Sequence, residues 1–299
     1  MPVYDCIIIG GGPAGLTAAI YLGRLRRTYQ LFDAGAARID LIPISYNFPG
    51  YPFGISGKAI HKAMQKQARL YGPPILKKEV KCIRREKDIF TVVGCDGMEV
   101  QGKTLLLATG IKDYLPAIHG SILLVQKGLM RLCPVCDGYE AINKKIGIVG
   151  YTTHALKEAI FLARYTHKIT MLTNSMESKF AKSALEKLGD KRIITQPIKQ
   201  FTIVNEQIIA HFYDQTIEKF DLVYAALGVD INNRLMKKWS ILKDRDGYYY
   251  VDKNQMTNIK NVYAAGDVVK GLCQISVATG QAAIAAIAIH HALQKQTKR

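Results

Sequence analysis

The run Gly10-Gly11-Gly12-Pro13-Ala14-Gly15 constrains this chain more than any other stretch, because of what flanks it. Tyr4–Ile9 is an apolar run that reads as a strand. Ala14–Leu25 reads as a helix with apolar residues along its length, and Tyr29–Phe32 as a second strand ending at Asp33. Within Gly10-x-Gly12-x-x-Gly15, Gly10 allows the tight turn, Gly12 lets the backbone approach a pyrophosphate, and Gly15 lets helix pack on strand. The helix N-terminus then faces the phosphates. Asp33 stands where an acid hydrogen-bonds a ribose hydroxyl. A glycine pattern alone is weak, but strand, helix and acid in the required order argue for a dinucleotide site. The candidate cofactor residues here are Gly10, Gly12, Pro13, Ala14, Gly15 and Asp33.

A second unit of the same kind follows: strand Ile146–Val149, turn Gly150–Thr153, helix His154–Tyr165 and strand Lys168–Leu172. Late in the chain a strand, Asn261–Ala265, ends in Gly266-Asp267, and a small-residue helix, Val277–Leu293, closes the sequence. Asp246-Gly247 marks a turn before a further extended stretch, Tyr248–Val251. The expected fold class is α/β, with two doubly wound Rossmann-like dinucleotide-binding domains, the second inserted into the first. The 299 residues suit two domains. We expect residues 1–115 and 245–299 to form the first and residues 116–244 the second.

Of six cysteines, only Cys133 and Cys136 are close enough in sequence to form a motif. Pro134 suits the first turn of a helix, where its missing N–H costs nothing. A thiol there meets the positive helix end, which favours the thiolate that attacks in disulfide exchange. Half of a zinc site would need two more ligands at suitable spacing, and no second Cys-x-x-Cys or His-x3-His exists. No metal is expected. Asp137, directly after Cys136, can move the proton that thiol chemistry requires, or can be a charge at a helix start.

Lys plus Arg number 41 against 24 acids, a net charge of +17. The basic residues are spread out apart from Lys77–Lys87, with no aromatic-plus-basic RNA motif and no zinc-finger spacing, which argues against nucleic acid as partner. The longest apolar run lies near Ala282–Ile289 and ends at His290, short of a membrane span. The start of the chain lacks a basic leader, and a cytoplasmic protein is expected.

In order along nearly the whole chain stand Gly10–Gly15, Asn47-Phe48-Pro49-Gly50, Ala108-Thr109-Gly110, Cys133-Pro134-Val135-Cys136-Asp137-Gly138 and Ala265-Gly266-Asp267. Together they resemble the low-molecular-weight thioredoxin reductases. The resemblance implies FAD bound by the outer segments, a homodimer, and thioredoxin or a similar small protein as partner. It implies that Asn47 lies near the flavin ring and that Thr109 and Gly110 end a strand returning toward the cofactor. Asp267, beside Gly266, contacts the ribityl chain, and Gln274 begins the last helix beneath the ring. It also implies that Cys136 faces the flavin, Cys133 attacks the external disulfide and Asp137 is the general acid. Two positions depart from the family: Arg38 stands where it has Gln, and Cys273 where it has Arg.

The electron donor is less legible. The second loop reads Gly150-Tyr151-Thr152-Thr153-His154-Ala155, with Thr152 where close approach of a pyrophosphate calls for glycine. The family's His-Arg-Arg run is replaced by Thr173, Asn174 and Ser175, with Lys179 the one point charge nearby. NADPH is therefore doubtful. The positive charge suits an acidic donor such as ferredoxin. The alternatives are an ordinary NADPH-dependent thioredoxin reductase, a dithiol oxidase passing electrons to oxygen, or a flavin-binding regulatory protein without turnover.

Overall fold

The structure, a computed structural model, describes residues 2–177, 180–189 and 191–297. In chain order come β1 (Val3–Ile9), α1 (Pro13–Arg24), β2 (Tyr29–Phe32), α2 (Gly57–Arg69), β3 (Val80–Glu86), β4 (Ile89–Gly94), β5 (Glu99–Leu107) and β6 (Ile111–Asp113). Next are α3 (Ser121–Gln126), β7 (Met130–Arg131), α4 (Pro134–Asp137), β8 (Ile146–Val149), α5 (Thr153–Leu162), β9 (Ile169–Leu172), α6 (Lys182–Leu188) and β10 (Arg192–Ile194). Then follow β11 (Ile198–Val204), β12 (Gln207–Phe212), β13 (Ile217–Phe220), β14 (Leu222–Ala225), β15 (Val229–Ile231), β16 (Val262–Ala264) and α7 (Ile275–Thr297).

The first sheet runs β2-β1-β5-β4-β3, with β16 paired to the later half of β5. Its parallel part, β2, β1, β5 and β16, is covered on both faces. That is why the later halves of β1 (Cys6–Ile9) and β5 (Leu105–Leu107) read as continuous apolar runs rather than alternating ones. The second sheet, β10-β9-β8-β14-β7, is wholly parallel, and β11-β12-β13 form a separate antiparallel sheet. Each glycine unit lies among the parallel strands of its own sheet, and the second sheet is built from a stretch inserted between β5 and β16 of the first. The two doubly wound units expected from the sequence are present in that inserted order.

The chain crosses between the units on a two-stranded antiparallel ribbon in which β6 pairs β15. Met236 and Ile241 pack with Phe90, Val92 and Tyr249 in the core of the first sheet. On that packing we propose that the return crossing lies at β15 rather than at residue 244. Tyr248–Val251 forms no strand; Tyr249 makes only isolated bridges to Lys243 and Val269.

By length and composition α7 could cross a membrane: Ile275–Lys295 has a mean hydropathy of 1.3. Counting one uninterrupted apolar run misses this, because Thr279, Gly280 and Gln281 break the run without making the stretch polar. Here one face of α7 is buried in the core. Ala278, Ala282, Ala285, Ala286, Ile289 and Leu293 are buried against Leu16, Ala19 and Ile20 of α1. Small residues on both helices allow the close approach, and their burial removes apolar surface from water.

Candidate active site

The first glycine loop needs its glycines for different reasons. Gly10 has φ +117, and a Cβ there would stand 2.1 Å from the Ala108 carbonyl oxygen. At Gly15 a Cβ would meet the Gly10 carbonyl oxygen at 1.8 Å. Gly12 differs: nothing lies within 4 Å of its missing Cβ. It borders open space at the start of α1, whose N-terminus has no side-chain cap. An open backbone beside uncapped N–H groups fits a pyrophosphate. Pro13 occupies the first turn of α1 and Ala14 is buried behind it.

Asp33 is buried against Gly11, accepts from Gly35 N at 2.9 Å and is paired with Lys77. A carboxylate has about four acceptor positions, which leaves room for a ribose hydroxyl. The late motif closes on the early one: a Cβ on Gly266 would stand 2.9 Å from that of Ala14. Thr109 and Gly110 follow the end of β5 and are tied to the β15 side. Thr109 Oγ1 donates to Asn232 O at 2.6 Å, and Asn232 N donates to Gly110 O at 3.1 Å. The tertiary structure thus gathers the cofactor candidates from both ends of the chain into one belt.

Cys133 and Cys136 form a disulfide with Cα atoms 5.3 Å apart. Pro134 opens α4, as its position beside Cys133 predicts. The helix is a single turn, so its dipole contributes little. What places the pair is contact with the first unit. Gln274 Nε2 lies 3.3 Å from Cys136 Sγ and 3.9 Å from Cys133 Sγ. Asn47 Nδ2 in turn donates to Gln274 Oε1 at 3.1 Å. Of the two residues that the family likeness puts around the flavin ring, Gln274 therefore stands on the disulfide, nearer Cys136, and Asn47 holds Gln274.

Asp137 is largely withdrawn from solvent. Its Oδ2 lies 3.2 Å from Arg131 Nη1, and its Oδ1 accepts from the Tyr224 hydroxyl at 3.0 Å. Burial raises its pKa to about 6, against the opposing effects of Arg131 and Tyr224. Among the described residues, no group of three or more His, Cys, Asp or Glu side chains could hold a metal ion.

In the second loop a Cβ on Gly150 would meet that of Ala155 at 2.5 Å, so this glycine serves close helix–strand packing. Thr152 is the N-cap of α5, its side chain accepting from Ala155 N at 3.4 Å. The side chain that replaces glycine thus also occupies a donor at the helix N-terminus. Asn174 and Ser175 both have positive φ, and Asn174 Oδ1 accepts from Ile198 N at 2.7 Å. Thr173 is buried. Lys179 lies outside the described residues.

Several residues were not found by reading motifs. Arg38 grips Asp113 of β6 with two bonds, of 2.7 and 2.8 Å, and reaches Asp267 at 3.2 Å. Burial raises the Asp267 pKa while Arg38 opposes the rise. Cys273 lies in the same electrostatic neighbourhood, its thiol pushed up by burial to about 11. Arg38 thus brings a guanidinium beside both Asp267 and Cys273. His61 stands between two acceptors, with Nε2 2.9 Å from Gly11 O and Nδ1 2.9 Å from Asp40 Oδ1, and Gln281 accepts from Gly266 N at 2.8 Å. Only the departures at positions 38 and 273 were usable signals, and they named no partner. Removing one member of a buried pair leaves the other charge uncompensated, whereas removing both is often neutral. Arg38→Met is expected to destabilise the protein by about 3 kcal/mol, and Arg38→Met with Asp113→Leu by much less. Urea denaturation of both variants measures this; equal losses would show that the two residues do not act as a unit.

Two dinucleotide-type units, the second inserted into the first and its disulfide seated on the first, define a disulfide oxidoreductase of the two-domain kind. The model of the pyridine nucleotide-disulphide oxidoreductase family matches residues 4–282, and this chain belongs to that family. It is 30% identical to the thioredoxin reductase of Helicobacter pylori (strain J99), over 95% of this chain and 97% of that protein. It is 28% identical to that of Aquifex aeolicus (strain VF5), over 99% and 95%. The crystal structure of thioredoxin reductase from Streptococcus pyogenes MGAS5005 superposes with a TM-score of 0.88 at 26% identity, covering 98% of this chain and 99% of that one. The likeness to the low-molecular-weight thioredoxin reductases holds over almost the full length, and the family implies FAD.

Proposed function

We propose that this protein is an FAD-dependent disulfide oxidoreductase that reduces thioredoxin or a similar small protein through Cys133 and Cys136, with a donor other than NADPH. The observation that carries this reading is the contact of the disulfide with Gln274, which Asn47 in turn holds by a hydrogen bond. It puts the exchangeable pair on the segment that fits the flavin. Bound FAD would supply two electrons to the pair. Gly10, Gly12, Gly15, Asp33, Asn47, Thr109, Gly110, Gly266, Asp267 and Gln274 are the residues that would hold it.

The protein's own residues do the rest. In the reduced pair, the Cys133 thiolate attacks one sulfur of the partner's disulfide, and the other sulfur leaves as a thiolate. Asp137 gives that thiolate its proton. Cys136 then attacks Cys133 Sγ, restores the internal disulfide and frees the second thiol of the partner. Val135 and Tyr139, both exposed beside the pair, offer apolar surface to a protein partner.

The capped loop at Thr152 and the engaged Asn174 support a donor other than NADPH. The net charge of +17 supports an acidic donor such as ferredoxin. Ordinary NADPH-dependent thioredoxin reduction is the second reading, favoured by the family match and the names of the relatives. Exposed Ile284 and Ile287 on α7 suit a homodimer. The free thiols of Cys6, Cys82, Cys95 and Cys273 suit a cytoplasmic protein.

The purified protein is expected to be yellow, with one FAD per chain released by acid, and dithiothreitol without oxygen is expected to bleach it in step with reduction of the pair. A folded, colourless preparation that does not take up added FAD would sink the reading. A protein that binds flavin but shows no coupling to thiols would be a regulatory relic.

A further inference from the structure

We propose that Arg131 and Tyr224 are positioning residues for disulfide exchange: from neighbouring strands they clamp both carboxylate oxygens of Asp137 beside the cysteine pair and control when that group releases its proton. The proposal rests on the reading of Asp137 as the acid of the exchange.

The clamp follows from strand register. β7 and β14 are parallel neighbours, with Tyr224 opposite Arg131. Register partners on adjacent strands send their side chains to the same face of the sheet. Arg131 lies two residues before Cys133, so the strand that delivers the pair also delivers the cation. From this shared face Arg131 Nη1 reaches Oδ2 at 3.2 Å, and the Tyr224 hydroxyl reaches Oδ1 at 3.0 Å and the Asp137 carbonyl oxygen at 3.2 Å. Each carboxylate oxygen has its own partner, which stops rotation of the group and fixes its direction next to Cys136.

The chemistry of the clamp is not that of a stability device. Arg131 keeps a buried Nε without a hydrogen-bond partner. Such a group costs stability. Tyr224 is fully buried and its own ionisation is suppressed by burial and by Asp137, so it stays a donor at every physiological pH. The groups facing Asp137 are Arg131, Tyr224 and Glu140. Burial is the largest effect and raises its pKa, Arg131 and Tyr224 lower it, and Glu140 raises it, with a result of about 6. Taking away either clamp leaves burial less opposed, so the carboxyl keeps its proton to higher pH. If the protonated form is the acid of the exchange, turnover falls as pH rises through this pKa, and the falling limb moves upward in the variants.

The test uses the FAD-loaded protein and two readouts. Infrared difference spectra follow the protonated carboxyl band of Asp137, assigned by its loss in Asp137→Asn, as pH is raised. The pH profile of protein-disulfide turnover is recorded alongside. Tyr224→Phe and Arg131→Met are each expected to raise the midpoint by about one pH unit, the size of one charge-assisted hydrogen bond. Arg131→Lys, which keeps the charge, is expected to shift it less. The falling limb of turnover should move by the same amount as the band. Unchanged midpoints in folded Tyr224→Phe and Arg131→Met overturn the proposal. Tyr224→Phe changes shape least and decides the matter if Arg131→Met does not fold. Shifted midpoints with full turnover in Asp137→Asn would instead defeat the reading of Asp137 as the acid, and with it the role assigned to the clamp.

Discussion

Replacing Cys136 by serine is expected to abolish protein-disulfide turnover, a loss on the order of a thousandfold or more, as removal of a covalent nucleophile commonly brings. It should also remove any thiolate-to-flavin charge-transfer absorbance. Cys133→Ser is expected to lose turnover equally but to keep or strengthen that absorbance. The asymmetry is geometric: Gln274 Nε2 is 3.3 Å from Cys136 Sγ and 3.9 Å from Cys133 Sγ, so Cys136 is the sulfur closer to the flavin-binding segment. With Cys133 gone, Cys136 stays a free thiol there, and a donor amide beside it favours the thiolate. Steady-state turnover and the long-wavelength absorbance of the reduced variants check this. Full turnover in both variants would show that the pair is not the reactive centre.

NADPH and NADH are expected to reduce the flavin slowly or not at all. The steric reason is Thr152, which stands where a pyrophosphate needs bare backbone and whose hydroxyl caps Ala155 N. The electrostatic reason lies at Asn174 and Ser175, which offer no positive charge to a 2′-phosphate. Each lost charge-assisted hydrogen bond costs roughly 1.5–3 kcal/mol, so two weaken binding by on the order of a hundredfold or more. The fold adds a third obstacle. Asn174 and Ser175 have φ of 51° and 60°, and Asn174 holds Ile198 N. Asparagine tolerates that left-handed backbone, whereas arginine there is strained. Thr152→Gly is therefore expected to restore only part of any nicotinamide response. Anaerobic mixing with millimolar-scale NADPH, followed at the flavin band, is the check. Bleaching within milliseconds to seconds, followed by thioredoxin reduction, would make this an ordinary NADPH-dependent thioredoxin reductase.

The amino-acid sequence by itself determined both glycine units, the cysteine pair and the α/β class. All three are local patterns whose geometry is fixed over a few residues. α1 falls within one residue of its expected span, and Pro134 opens the turn that carries the cysteines. Only the tertiary structure decided what those motifs touch. Arg131 and Tyr224 meet Asp137 because β14 pairs β7 in one register, across 87 residues of sequence between Tyr224 and Asp137. Arg38 joins Asp113 and Asp267 across 75 and 229 residues, and motif spacing cannot encode such a meeting. The return crossing proposed at β15 and the burial of one face of α7 were hidden for a related reason. Composition records how apolar a segment is, while the neighbouring surface decides which face is covered and by which domain.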